Sequence, residues 1–166
     1  RSRCLKSIYN YFLIINCQLN MPTQTLIEKL QLQQEKNMLI QGLPSSIEKQ
    51  FVKLNFSKSV TPLLKSRKID FALVFAVNHR QLVGILQDVV PALQEDATFW
   101  IAYPKLTSKI VSDLSRDKNW DFVVDYGFEA VCMIALDSVW SAGRFSKADK
   151  EVEKKLVSAA QIQHTA

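Results

Sequence analysis

The hydrophobic positions change period along the chain, and the changes mark out the elements. From Thr25 the segment TLIEKLQLQQ places Leu26, Ile27 and Leu30 on one helical face, and Thr25 with Glu28 has the spacing of a capping box. A short helix is predicted there. NMLIQGL at 37–43 is a brief apolar run closed by Gly42 and Pro44, and FVKLNF at 51–56 alternates apolar with polar, so two strands are predicted with a short helix over 45–50 between them. IDFALVFAV at 69–77 is almost unbroken and rich in β-formers, the pattern of a strand covered on both faces.

After Asn78, a residue suited to capping, Leu82, Ile85, Leu86, Val89 and Leu93 recur at helical spacing up to a turn at Glu95 and Asp96, with Pro91 set to end the helix early. ATFWIAYP at 97–104 repeats the buried-strand pattern. Ile110, Val111, Leu114 and Val123 then suggest a helix over 108–126, with Gly127 as its C-cap. EAVCMIALD at 129–137 and VWSAGRFSK at 139–147 lie too close together for a crossover helix and should form an antiparallel hairpin. The expected fold is α/β and Rossmann-like: a mostly parallel sheet of about six strands, helices on both faces and a C-terminal antiparallel hairpin.

This layout resembles the C-terminal half of class I methyltransferase-like Rossmann folds, in which the last strand inserts antiparallel to the others. Within it, Tyr103, Pro104 and Lys105, then Asp113, Leu114, Arg116 and Asp117, then Trp140, Ser141, Ala142, Arg144 and Phe145 resemble the motifs of an uncharacterised family of small bacterial proteins. The resemblance covers roughly residues 26–147. It implies a fold and carries no activity with it.

The adenosyl chemistry of that fold has specific requirements. A Rossmann-type site needs glycines in the first strand-to-helix turn, for close backbone approach, and an acid at the end of the second strand for the ribose hydroxyls. Here the turn reads Gln41, Gly42, Leu43, Pro44, Ser45, Ser46, with one glycine and a proline that removes an amide donor, and the second strand would end Asn55, Phe56, Ser57. No cofactor is expected. The chain is expected to be a noncatalytic binding or interaction module rather than an enzyme.

At 166 residues the chain has room for one compact domain at about 150 residues each. The net charge of +5 is unevenly spread: residues 1–20 carry +3, residues 147–166 carry +1, and the body between them carries 14 basic against 13 acidic residues. A basic footprint for nucleic acid is not expected on such a body. Residues 1–20 hold an apolar run of about ten residues, too short to cross a bilayer, and Met21 would serve as a natural start. We therefore divide the chain into a leader or non-native extension (1–20), a single domain (21–147) and a charged tail (148–166), with no membrane partner. Cys4 and Cys17 fall in the leader, so Cys132 reads as a lone buried thiol, and a cytoplasmic location is expected.

With two histidines, His79 and His164, triads and multi-histidine metal sites are excluded, and His79 reads as a solvated side chain at a helix start. What remains is the segment Tyr103 to Ser108 at the carboxyl end of a strand. Lys105 offers a cation, while Thr107 and Ser108 offer hydroxyls at a helix N-terminus whose amides favour an anion. The alternative function is therefore an enzyme or sensor for a phosphate- or carboxylate-bearing ligand. Its expected residues are Tyr103, Lys105, Thr107, Ser108, Asp113, Asp137 and Arg144; the idea gains weight if Lys105, Asp113, Asp137 and Arg144 converge in one pocket and fails if they scatter. The plain alternative is that Thr107 or Ser108 only caps a helix. An unknown protein partner, a small anion and self-association into a homo-oligomer are the partner classes left open.

Overall fold

In the computed structural model, residues 25–33, 35–60, 69–115 and 120–148 are described, so the expectations for the leader and for most of the charged tail lie outside them. The elements in chain order are α1 (Leu26–Lys29), β1 (Met38–Gln41), α2 (Ser45–Glu48), β2 (Ile69–Phe75), α3 (His79–Val89), β3 (Leu93–Pro104), α4 (Asp121–Asp125), β4 (Phe128–Ala135) and β5 (Trp140–Lys147). Short 3-10 turns extend α2 over Lys49–Phe51 and α3 over Val90–Ala92.

The strands form one sheet in the order β1-β2-β3-β5-β4. β1, β2 and β3 pair in parallel, whereas β5 runs antiparallel to both β3 and β4 and lies between them. This is the antiparallel insertion that the resemblance implied. Among the described residues five strands stand where about six were expected, because 51–56 does not extend. Phe51 ends the 3-10 turn fully buried, Val52 is exposed, and Leu54 N–H donates back to the Phe51 carbonyl at 2.9 Å. Just past that segment, Ser57 pairs with the sheet through a parallel bridge to Leu39 on the outer edge of β1.

Alternation along the strands divides the core in two, as a sheet covered on both faces requires. One face carries Ala72, Val74, Phe99 and Ile101 against Leu82, Leu86 and Val89 of α3 and Val123 of α4. The other carries Phe71, Leu73, Trp100 and Trp140 against Leu26, Leu30, Ile47 and Phe51. Helices on both faces are thus observed. α1 begins with the expected capping box, Thr25 N–H donating to Glu28 Oε2 at 2.9 Å.

Two further boundaries differ from expectation. Glu95 and Asp96 do not turn; β3 starts at Leu93 and runs through them. The helix expected over 108–126 shrinks to α4, and Gly127 follows it with φ of 83°, as expected of a C-cap. Ile110 and Val111 are exposed rather than core. The cause is local: the Ser112 hydroxyl donates to the Val77 carbonyl and accepts from Leu114 N–H, and Asp113 accepts from His79 N–H at 2.7 Å. Those side chains bind the backbone of neighbouring segments and hold the loop open, in competition with a helical turn.

Candidate functional site

In open α/β sheets the ligand crevice lies beyond the carboxyl ends of the strands, where successive connections leave in opposite directions. Here that place is the end of β1. From β1 the chain passes to Ser57 on the outer side, while β2 pairs on the inner side. The turn that follows β1 is built by Gly42 with φ of 76°, in the left-handed region that favours glycine. A Cβ at Gly42 would stand 3.1 Å from the Phe75 carbonyl oxygen and 3.3 Å from Phe75 Cβ, so the turn rests directly on the end of β2. Phe75 in turn meets Trp140 edge to face, with ring centroids 5.3 Å apart. Leu43, Val77 and Val139 pack onto the same cluster. No acid occurs from Lys49 through Ile69 to take the ribose role. A single glycine in the turn and no acid in that later segment are what the sequence supplies at this end of β1.

The Tyr103 to Ser108 segment does border a recess, of about 310 Å³, lined by Tyr103, Lys105, Thr107, Met133, Ser115 and Ser141. Its floor is apolar: Tyr103 is buried, its hydroxyl lies 3.6 Å from Met133 Sδ, and its ring meets Trp120 at 5.4 Å. Lys105 N–H is tied to the Val139 carbonyl at 2.7 Å, and Ser108 N–H closes a turn onto the Lys105 carbonyl at 3.0 Å. No helix begins at Thr107 or Ser108, so neither the aligned amides of an anion site nor a simple helix cap is formed there. Ser108 Oγ is buried with no hydrogen-bond partner.

The four charged groups expected to converge do not share a pocket. Asp113 faces the start of α3, where its carboxylate joins the Asn78 side chain, which accepts from Gln81 N–H, in satisfying first-turn amides. Asp137 shapes the hairpin turn, accepting from Val139 N–H at 2.8 Å and Trp140 N–H at 2.6 Å through one oxygen. Arg144 lies four residues along β5 from Trp140, roughly 13 Å at about 3.3 Å per residue, and faces the opposite end of the sheet. Arg116 and Asp117 lie outside the described residues. His79 is half-buried, with its ring 4.4 Å from that of Phe122, rather than solvated. Cys132 is buried as expected, but its sulfur is in a disulfide, which corrects the lone-thiol expectation.

A second recess, of about 570 Å³, opens at the amino end of the strands. It gathers residues that the sequence pattern left unassigned, Gln94, Asp96 and Thr98 among them, around Arg144. The signal was present: the three alternate on one strand face and continue the register of Trp100 and Ala102. The expected turn at Glu95 and Asp96 hid it. Among the described residues no group of histidine, cysteine, aspartate and glutamate is arranged to hold a metal ion, and no helix is long and apolar enough to cross a membrane.

No protein-family model matches the chain, and no curated protein does. Among solved structures it is similar to LepI in complex with SAM, at 14% identity and a TM-score of 0.45 over 74% of this chain and 39% of LepI. It is also similar to a protein of the NADB-Rossmann superfamily from Streptococcus agalactiae, at 10% identity and 0.47 over 78% of this chain and 71% of that one. A third likeness is to the B. subtilis M1A22 tRNA methyltransferase TrmK, at 8% identity and 0.46 over 81% of this chain and 70% of that one. The chain thus spans about two fifths of LepI. At these identities and scores the likenesses assign it neither a family nor an activity.

Proposed function

We propose that this chain is a methyltransferase-like Rossmann domain that serves as a binding or interaction module and performs no methyl transfer. The observation on which the reading rests is the tight turn after β1, where a Cβ on Gly42 would stand 3.1 Å from the Phe75 carbonyl oxygen and the turn carries a single glycine. The absence of an acid from Lys49 through Ile69 supports it, because a ribose would find no carboxylate partner on that segment. The antiparallel β5 between β3 and β4 supports the methyltransferase-like assignment.

The test is thermal unfolding of the full chain with adenosyl-methionine and its demethylated product. A ligand at about 100 times its dissociation constant adds roughly 2.7 kcal/mol, which raises the midpoint by several degrees in a domain of this size. The expected result is no shift. A saturable shift with either adenosyl compound would overturn the proposal and make methyl transfer the leading function.

A second reading rests on Ser108, whose buried and unpartnered hydroxyl lies in the segment that carries Lys105 and Thr107. There the chain would bind a small phosphate- or carboxylate-bearing ligand through this segment alone, since the wider site with Asp113, Asp137 and Arg144 is not formed. Its test is inorganic phosphate and acetate in the same assay, with Lys105→Ala. A shift that this substitution abolishes supports the anion reading, and an unchanged shift removes Lys105 from the site.

A further inference from the structure

The recess at the amino end of the strands lies on the face that carries Trp100, Ala102, Trp140 and Ala142, and that face changes character part-way along the sheet. Toward the carboxyl ends it is dry and covered by α1 and α2. Beyond Trp100 it continues as Thr98 and Asp96 on β3 and Arg144 on β5, with Asp70 at the start of β2 and Glu35 opposite. Polar side chains in such a position give up apolar burial, and they border an open recess of about 570 Å³, a volume within the range of small-molecule sites.

The charges in this recess are held apart. Arg144 is half-buried and its guanidinium donates to Gln31 Oε1, a neutral acceptor, while Gln31 itself sits at φ of 57°. Among the described residues Arg144 forms no ion pair, although Glu35, Asp70 and Asp96 line the same space. Glu35 accepts from Gln33 N–H at 2.8 Å and Asp70 from Asn37 N–H at 3.3 Å, so among the described residues one oxygen of each carboxylate and both of Asp96 accept no hydrogen bond. Four of the five guanidinium donors of Arg144 are likewise uncommitted. One cation and three carboxylates separated by a cavity match a ligand that carries both signs with positive charge in excess.

We propose that this recess binds a cationic amino acid, with the ligand carboxylate on Arg144 and its positively charged side chain on Asp70 and Asp96. The bidentate fit of a planar guanidinium to a carboxylate fixes one end, and the acidic wall selects for a cation at the other. The site is separate from the end of β1, so it stands or falls independently of the absence of adenosyl chemistry there.

Calorimetric titration of the full chain with L-arginine tests the proposal, with agmatine, which keeps the guanidinium and lacks the carboxylate, as the paired probe. Saturable binding of L-arginine is expected, with agmatine about tenfold weaker or more, the loss of one charge-assisted contact. Arg144→Gln should remove the preference for L-arginine over agmatine. Asp96→Asn, an exposed substitution that leaves the thermal midpoint in place, should weaken both probes. No saturable heat with L-arginine up to about 10 mM, a range that covers Kd values well above 1 mM, would overturn the proposal. Equal binding of the two probes to the parent chain would overturn it too, as would unchanged titrations in both variants.

Discussion

Single side chains set several local geometries in this protein, and their replacement has calculable consequences. At Gly42 a methyl group meets both an unfavourable φ and the Phe75 carbonyl, so Gly42→Ala should lower stability by about 2 kcal/mol, read as a fall in thermal midpoint of roughly 6 °C. Gly84 is the opposite case. It lies exposed inside α3, and an added Cβ would meet nothing within 4 Å, so Gly84→Ala should stabilise by about 0.5–1 kcal/mol in the same measurement. Trp100 is fully buried and its indole N–H donates to the Leu30 carbonyl at 3.1 Å, which anchors α1 on the sheet. Trp100→Phe keeps most of the ring but leaves that carbonyl without its donor, and denaturant unfolding should show a loss of about 1–3 kcal/mol.

At the scale of elements, the sequence pattern was legible wherever one period ran unbroken and failed where side chains bind backbone. β2 and the β4–β5 hairpin lie where their apolar runs put them, and α3 starts at the Asn78 cap and ends before Pro91 as its pattern implies. The 108–126 segment has a helical stripe as well, yet Ser112 and Asp113 spend their hydrogen bonds on Val77 and His79. Nothing in the spacing of Ile110, Val111 and Leu114 announces a partner 34 residues away in sequence. The same limit applies to the candidate site. Asp113 and Asp137 stood out as chemistry-bearing carboxylates, and both are engaged on backbone amides. Asp137→Ala should therefore destabilise the hairpin turn by about 1–2 kcal/mol, visible as a lower denaturant midpoint with an unchanged m-value.

For the molecule as a whole, the sheet separates two cores that share few side chains. Ile101 belongs to one and Ile47 to the other, each almost fully buried. Ile101→Val and Ile47→Val should each cost about 1 kcal/mol, and the double variant should show their sum to within about 0.5 kcal/mol because a layer of backbone stands between the two sites. A marked departure from the sum in equilibrium unfolding would mean that the two faces repack together.

The position of β5 has a consequence for the order in which the chain acquires its structure during synthesis. β3 and β4 both wait for it, since β3 pairs with it through Phe99↔Phe145 to Pro104↔Trp140 and, among the described residues, β4 has no other partner in the sheet. Until residues 140–147 have left the ribosome, the growing chain carries an open edge of β3 and an unpaired β4, rich in Phe, Trp and Ile, the kind of template that invites pairing between chains. Among the described residues the last strand in the chain is the one that joins β3 to β4, and a nascent protein of this design is most vulnerable to its own copies until β5 has emerged.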